Sequence, residues 1–255
     1  MESLTLKDKK EIPILGFGTW PLRGSLCTKA LRTALEVGYR HIDTADYYRN
    51  HRDIAKALEG SGVPREELFI VTKLMPPRLG REDVLAAGKR FLEELGTEYL
   101  DLLLIHWPTA SVPLEETLGA MHELMEAGVT KSLGVSNFTI EDTRKALETG
   151  FEVVNNQVEF HPRLKPADLR EFCEQNDVVV TAYSPLDKGR SLELSLVKEL
   201  SEKYQKPASQ VVLNWVMQKG MVAIPASSNP EHIEENFDSL EWKLEEEDIA
   251  RVDAI

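Results

Sequence analysis

The sequence predicts an α/β fold, a single (β/α)8 TIM barrel, on three observations. Eight short apolar runs alternate with amphipathic stretches of helical periodicity along 255 residues. Several of these stretches end at a glycine, which readily adopts the left-handed conformation at a helix end. No complete glycine-rich phosphate turn follows the first run, which argues against an open, doubly wound sheet. The unbroken repetition favours one closed barrel domain over residues 1–255.

The elements follow in chain order. The eight predicted strands are residues 15–17, 41–43, 69–72, 100–105, 132–135, 153–158, 178–182 and 221–224. Before them, alternating apolar residues at 4–6 and 12–14 flank a charged turn and predict a β-hairpin, which we expect to close the bottom of the barrel. Two extra helical stretches, 195–204 and 208–218, precede the last strand, and a helix at 245–254 ends the sequence.

The charge and composition of the sequence indicate which kinds of binding partner and which cell compartment to expect. The formal net charge is −13, with 43 acidic and 30 basic residues, so we expect no binding to nucleic acid or to anionic membranes. The sequence has no apolar run long enough to span a bilayer and no signal peptide at its start, which predicts a cytoplasmic protein. Cys27 and Cys173 are expected to be buried thiols, no metal site is expected, and a monomer is the default.

Three polar residues occupy equivalent positions at the ends of successive strands. Asp43, Lys73 and His106 each end an apolar run, about one strand-plus-helix unit apart. Because parallel barrel strands place their carboxyl ends on one rim, these side chains should converge there. Tyr48 lies in the loop just beyond Asp43. Each residue alone could simply cap a helix or meet solvent, but together they indicate a proton-transfer site.

The chemistry of this set suits reduction of a carbonyl group. A tyrosine has an ordinary pKa of about 10, and a nearby ammonium favours its phenolate. Lys73 is expected to lower the pKa of Tyr48 in this way, with Asp43 holding the ammonium in place. His106 is expected to donate a hydrogen bond to the reacting oxygen. Tyr48 would then protonate the oxygen while a hydride reaches the carbon.

The motifs around these residues occur in the order typical of one family, and the matches cover nearly the whole sequence. They are Asp43-Thr44-Ala45-Asp46-Tyr47-Tyr48, Val71-Thr72-Lys73, Leu104-Ile105-His106-Trp107-Pro108, Gly134-Val135-Ser136-Asn137-Phe138, Gln157-Val158-Glu159-Phe160-His161-Pro162, Tyr183-Ser184-Pro185-Leu186 and Ile233-Glu234-Glu235-Asn236. The sequence therefore resembles the aldo-keto reductases, in particular the short microbial reductases of diketogluconate and small dicarbonyls. Longer members of this family have a C-terminal loop over the substrate, whereas here a helix at 245–254 ends the sequence. The resemblance therefore implies a more open substrate mouth.

The resemblance implies NAD(P)H-dependent reduction of aldehydes and ketones to alcohols, and the reverse oxidation. It also implies a cofactor site without a Rossmann domain. Ser136, Asn137 and Gln157 would hold the carboxamide, Tyr183 would stack on the nicotinamide, and Ser184 and Leu186 would cover the pyrophosphate. Ser227, Ser228, Asn229 and His232 would lie near the adenosine phosphate, and Glu235 and Asn236 near the adenine. Trp20 and Trp107 would line the pocket for a small carbonyl substrate.

Two positions depart from the pattern of NADPH-preferring members. Ala226 and His232 stand where those members carry lysine and arginine, the natural partners of a 2′-phosphate. We therefore expect a relaxed preference, with NADPH and NADH both used. His51 stands where the family frequently has glutamate, and the sequence alone gives no consequence for it.

Two other functions remain open at this stage. One is a non-enzymatic, nicotinamide-binding regulatory module. The other is a barrel metallohydrolase that uses His41, His106 and His161, although His161 before Pro162 is more typical of an ordered turn. The sequence does not identify the physiological substrate or the favoured direction.

Overall fold

The eight strands lie side by side in chain order and run parallel. In the computed structural model, which describes residues 2–255, each of these strands is hydrogen-bonded to the next one along the chain. The strands are β3 (Gly16–Gly18), β4 (His41–Asp43), β5 (Phe69–Leu74), β6 (Leu102–Ile105), β7 (Leu133–Ser136), β8 (Val153–Glu159), β9 (Val179–Tyr183) and β10 (Val222–Ile224). An isolated bridge between Leu15 and Ala223 joins the first and last strands. The predicted barrel is confirmed.

Helices pack around the outside of this sheet. They are α1 (Gly24–Val37), α2 (His51–Leu58), α3 (Arg81–Leu95), α4 (Leu114–Glu126), α5 (Ile140–Glu148), α6 (Ala167–Gln175), α7 (Ser195–Tyr204), α8 (Ala208–Gln218), α9 (Pro230–Phe237) and α10 (Glu246–Asp253). Gly96 ends α3 at a φ of 63°, in the left-handed region that favours glycine. Within residues 2–255, no helix combines the length and the apolar character needed to cross a bilayer.

The N-terminal hairpin covers one end of the barrel. β1 (Ser3–Thr5) and β2 (Glu11–Pro13) pair antiparallel. Leu6 and Ile12 are 1 % and 0 % exposed and join an apolar cluster inside the barrel. That cluster includes Phe69, Val71, Leu102, Leu104 and Val222. Burial of this apolar surface away from water stabilises the closed end, and the predicted position of the hairpin is confirmed.

Some strand boundaries differ from the prediction for physical reasons. β3 begins one residue later than expected. It has glycine at both ends, because a side chain on Gly16 would lie 2.7 Å from the His41 ring and one on Gly18 would lie 2.7 Å from the Ile224 carbonyl oxygen. β6 begins at Leu102 because the Asp101 carboxylate accepts hydrogen bonds from Arg65 and from the Ile70 amide. β5 extends to Leu74, so that Lys73 is its penultimate residue.

Candidate active site

Lys73 lies at the centre of the rim formed by the carboxyl ends of the strands. Its side chain is fully buried, and its ammonium donates to Asp43 Oδ1 at 2.6 Å and to the Thr44 carbonyl at 2.9 Å. Its third partner is the hydroxyl of Tyr48, at 3.5 Å. A buried ammonium is tolerated only when its donors are paired, and here three donors meet three acceptors.

Asp43 completes this pair from β4. It is 2 % exposed, and its second carboxylate oxygen accepts a hydrogen bond from Gln157 Nε2 at 2.7 Å. The side-chain nitrogen of Gln157, expected at the cofactor carboxamide, is thus bound to Asp43. The second N–H of this amide and its oxygen are left for contacts with the carboxamide. Gln157 fixes the direction in which Asp43 presents its other oxygen to Lys73.

The charges in this cluster set the protonation states. Burial opposes the charge on Lys73, but Asp43 and Tyr48 outweigh burial and raise the pKa of the ammonium above its usual value. Burial raises the pKa of Tyr48, and the charge on Lys73 opposes that rise without cancelling it. The expected net lowering of the Tyr48 pKa is therefore wrong, because the effect of burial is larger. The phenol therefore stays protonated near neutrality, the state in which it can give up a proton.

His106 faces Tyr48 across the site. It directly follows β6, and its ring lies edge-on to Tyr48 with centroids 5.8 Å apart. Burial, and then the charge on Lys73, lower the pKa of His106 to about 4. The imidazole is therefore neutral at physiological pH and carries one N–H donor. Within residues 2–255 its buried Nδ1 has no hydrogen-bond partner.

Aromatic side chains form the walls above this cluster. Trp20 lies 5.1 Å from Tyr48 and Trp107 lies 6.5 Å from His106, measured between ring centroids. Both tryptophans are about half exposed, at 44 % and 46 %. Tyr47, which sequence reasoning passed over, stacks on Trp20 at 5.6 Å and faces His106 at 6.5 Å. The adjacent tyrosines at 47 and 48 were the available signal, because both lie in the short 3-10 helix Asp46–Tyr48 and both rings contact Trp20.

Several of the expected cofactor residues lie together beside this pocket. The hydroxyl of Tyr183 donates to Asn137 Oδ1 at 2.9 Å, and Asn137 Nδ2 donates to Ser136 Oγ at 3.0 Å. Ser136 in turn donates to the Gln157 carbonyl at 2.8 Å. Burial raises the pKa of Tyr183 to about 12, so its hydroxyl stays a donor. These contacts fix the ring of Tyr183 and offer hydroxyl and amide groups next to it.

The remaining cofactor candidates follow β9 and β10 on the same rim. Ser184 has a left-handed φ of 47° at the end of β9, in the segment that leads to Leu186. After β10, Ser227 Oγ accepts from the Asn229 amide at 3.1 Å. Asn229 caps α9 by accepting from the Glu231 amide at 3.0 Å. These short bonds shape a polar turn in front of the helix N-terminus.

Four residues around α9 differ in their accessibility. Ser228 and His232 are exposed. The Glu235 carboxylate accepts a hydrogen bond from Ser209 on α8, and Asn236 is only 3 % exposed. The packing against α8 leaves Glu235 and Asn236 less available to an adenine than the sequence suggested.

The histidines of the metallohydrolase alternative are not assembled into one cluster. Among residues 2–255, the group of three candidate metal ligands that lie within reach of one another is Glu159, His161 and Asp187. Asp187 is already bound by the guanidinium groups of Arg163 and Arg190. His161 pairs with Leu164 through both backbone bonds of a tight turn, at 3.0 and 2.9 Å.

Comparison with known proteins identifies the family. The sequence profile described as the Aldo/keto reductase family matches residues 14–255. The chain belongs to this family. This aldo/keto reductase is an oxidoreductase that reduces carbonyl groups with a nicotinamide cofactor, and its substrates are small carbonyl compounds.

Relatives match this aldo/keto reductase over nearly their whole length. A 9,11-endoperoxide prostaglandin H2 reductase from Trypanosoma cruzi (strain CL Brener) is 39 % identical, covering 99 % of this chain and 90 % of the relative. A glyoxal reductase from Bacillus subtilis (strain 168) is 37 % identical, covering 100 % and 92 %. The crystal structure of an aldo/keto reductase from Brucella melitensis has a TM-score of 0.95 at 38 % identity, covering 99 % and 98 %.

Proposed function

We propose that Tyr48 is the proton donor of this reductase and that Lys73, Asp43 and His106 complete the catalytic set. The observation that supports this most strongly is the buried Lys73 ammonium, which contacts Asp43 at 2.6 Å and the Tyr48 hydroxyl at 3.5 Å. A phenol that is protonated near neutrality and borders a fixed positive charge is suited to give up its proton only when a stronger base forms beside it.

The proposed step follows from these positions. When bound, the reduced nicotinamide supplies a hydride to the carbonyl carbon. As negative charge develops on the carbonyl oxygen, the Tyr48 O–H bond breaks and the proton moves to that oxygen, giving the alcohol. The phenolate left behind is stabilised by Lys73 and later regains a proton from solvent. The neutral His106 donates its N–H to the same oxygen and so sets the position of the substrate.

The groups beside the pocket fit a nicotinamide. The ring of Tyr183, fixed through Asn137, offers an aromatic face, and the polar groups of Ser136, Asn137 and Gln157 match the donors and acceptors of a carboxamide. Ser184 and Leu186 are proposed at the pyrophosphate. Ser227, Ser228, Asn229 and His232 are proposed at the adenosine end, with Glu235 and Asn236 near the adenine.

We propose that NADH serves this enzyme appreciably, along with NADPH. Ala226 offers no charge to a 2′-phosphate, and the acidic Glu231 lies in the first turn of α9, next to His232. A carboxylate near that site repels the phosphate that distinguishes NADPH. Steady-state kinetics with both cofactors under equal conditions are the measurement. A hundredfold advantage for NADPH would contradict the proposal.

The substrates are proposed to be small aldehydes, ketones and dicarbonyls, in line with the relative named glyoxal reductase. Flat aromatic walls from Trp20, Tyr47 and Trp107 suit an apolar or planar carbonyl compound. We further propose one domain over residues 1–255 that acts as a cytoplasmic monomer, without a nucleic-acid partner. The net charge of −13 supports the last point. No finding favours the alternative of a non-enzymatic module.

The decisive test replaces the hydroxyl that is proposed to give the proton. Tyr48→Phe should lower kcat for a generic aldehyde by about a thousandfold, the range expected for a general acid. Binding of NADH, followed by quenching of tryptophan fluorescence, should persist. The matched control is Tyr47→Phe, which removes a neighbouring hydroxyl that has no proposed part in proton transfer. Substantial turnover by Tyr48→Phe would assign the acid elsewhere.

A further inference from the structure

His51 is the first residue of α2, three residues after Tyr48. Its side chain is 3 % exposed, with Nε2 2.9 Å from Thr72 Oγ1 and Nδ1 2.9 Å from Glu94 Oε2. A carboxylate only accepts hydrogen bonds, so Nδ1 carries the hydrogen and donates to Glu94. Burial lowers the pKa of His51 against the pull of Glu94, which keeps the ring neutral near pH 7. Nε2 therefore accepts from the Thr72 hydroxyl.

The contacts of His51 extend in both directions to the catalytic pair. Thr72 directly precedes Lys73 on β5, with its side chain on the opposite face of the strand. On the other side, Glu94 accepts from Arg90 Nη1 at 3.3 Å. Arg90 binds both carboxylate oxygens of Asp46 at 2.9 Å, and Asp46 begins the short 3-10 helix that ends at Tyr48. One chain of side chains thus runs from beside the amine to beside the phenol.

We propose that His51 is a positioning residue, which holds the Tyr48 hydroxyl and the Lys73 ammonium at reacting distance by linking Thr72 to Glu94, Arg90 and Asp46. This inference rests on the proposed function, in which Tyr48 is the proton donor. His51 itself touches neither the phenol nor the amine. It acts through the loop and through the strand that carry them.

The longest contact of Lys73 is the one with Tyr48, and this is the contact that the link through His51 is proposed to control. The bonds to Asp43 and Thr44 are 2.6 and 2.9 Å long, whereas the distance to Tyr48 is 3.5 Å. Asp43 and Thr44 belong to β4 or its immediate end, but Tyr48 lies on the loop beyond. A small shift of that loop would lengthen the contact with Tyr48 first.

The loop is held from two sides. Asn50, fully buried, accepts from Thr44 Oγ1 at 2.6 Å and donates to Thr19 Oγ1 at 3.0 Å, which fixes the side toward β3. His51 fixes the side toward β5 and α3. The groups facing the His51 ring are Glu94, Arg90 and Asp46, together with the ring of Phe91 at 5.1 Å. Both attachments are made by consecutive side chains, Asn50 and His51, at the end of the loop that carries Tyr48.

The test compares variants that remove this link with a matched histidine elsewhere. His51→Leu has a similar volume but removes both hydrogen bonds, and kcat should fall about tenfold, since a misplaced catalytic group costs up to about a hundredfold per ångström. KM and the Kd for NADH should stay within about twofold, because groups that act only in the transition state leave ground-state binding unchanged. His122→Leu, at the half-exposed histidine of α4, should retain wild-type kinetics.

Two further readouts separate positioning from a merely structural role. The apparent pKa for alcohol oxidation should rise in His51→Leu, because the ammonium then stabilises the phenolate less. Thr72→Val removes the other half of the same bond, so the double variant should be no slower than His51→Leu alone. His51→Asn, which retains an amide near the position of Nδ1, should recover part of the lost kcat. If His51→Leu does not fold, Thr72→Val and His51→Asn provide the same readouts.

The inference is overturned by wild-type kcat and pH profile in His51→Leu, or by additive losses in the double variant. It is also overturned if kcat, cofactor binding and the melting temperature fall together. Tyr48→Phe separates this failure from that of the proposed function. An active Tyr48→Phe enzyme would remove the proposed acid itself. An inactive one, beside a fully active His51→Leu enzyme, would remove only the role of His51.

Discussion

At the end where the hairpin lies, the barrel interior is filled by Leu6, Ile12 and Phe69, whereas at the opposite end it is filled by Lys73 and Asp43. Both ends are equally well buried. Burial of apolar side chains at the hairpin end stabilises the fold. At the opposite end, by contrast, the cost of removing Lys73 and Asp43 from water must be offset by their paired contacts. The comparison separates residues that stabilise the barrel by apolar burial from a buried ion pair whose role, as proposed above, is in proton transfer rather than stability.

The largest expected effect is on turnover at the charged end. Lys73→Met removes the cation that is proposed to stabilise the Tyr48 phenolate, and kcat should fall by about a thousandfold, within the range for proton-transfer catalysis. Steady-state assays with a generic aldehyde, with NADH binding followed in parallel, provide the measurement. Lys10→Met is the matched control at the hairpin end, where the amine pairs with Asp8. Equal losses in both variants would erase the proposed distinction between the two ends.

The next effect is on stability at the apolar end. Ile12→Ala should lower the free energy of unfolding by about 2–5 kcal/mol, since it leaves a cavity in a fully buried site. Turnover per folded molecule should be unchanged. Urea unfolding followed by circular dichroism gives the free energy, and Leu26→Ala, at a residue 51 % exposed, serves as the control. A drop in kcat without loss of stability would contradict this assignment.

The pH dependence of the two reaction directions sharpens the account of the charged end. In the proposed mechanism reduction needs the protonated Tyr48 phenol and oxidation needs its phenolate, and burial raises the pKa of Tyr48. The kcat for reduction should therefore stay level from pH 6 to about pH 9, and that for oxidation should rise toward about tenfold per pH unit. Initial rates in overlapping buffers test both. A decline in reduction between pH 7 and 8 would show that the pKa of the acid lies below its usual value.

The smallest effect concerns the adenosine end of the proposed cofactor site. His232→Arg should tighten NADPH binding about fivefold, because an exposed guanidinium gains a partly screened bond to the 2′-phosphate. NADH binding should change little. Isothermal titration calorimetry with each cofactor measures this, and His122→Arg controls for added charge alone. An equal gain for both cofactors would point to general electrostatic attraction rather than a local contact.

Strand periodicity was enough to predict the barrel and the meeting of Asp43, Lys73 and His106, since parallel strands bring their carboxyl ends to one rim. The bond from Gln157 to Asp43 was not predictable, because it crosses the interior between distant strands. The predicted lowering of the Tyr48 pKa was wrong, because the spacing of residues in the sequence does not show how deeply a side chain is buried. The role of His51 stayed open because its partners, Thr72 and Glu94, lie on separate elements.

The joint between β3 and β10 has a mechanical consequence. β8 and β9 share five residue pairs. Next to β3 and β10, by contrast, there is one bridge between Leu15 and Ala223, and the backbone bonds there are those from Ala223 to Ile14 and from Gly18 to Pro225, both 2.9 Å long. Local opening of the barrel should therefore begin at the joint between these two strands. The turn that carries Ser227 and Asn229 leaves from one edge of it, and the Trp20 loop leaves from the other. A dinucleotide bound across both edges would hold the two strands together. Amide hydrogen exchange at Gly18 should then be slower with the cofactor bound than without it.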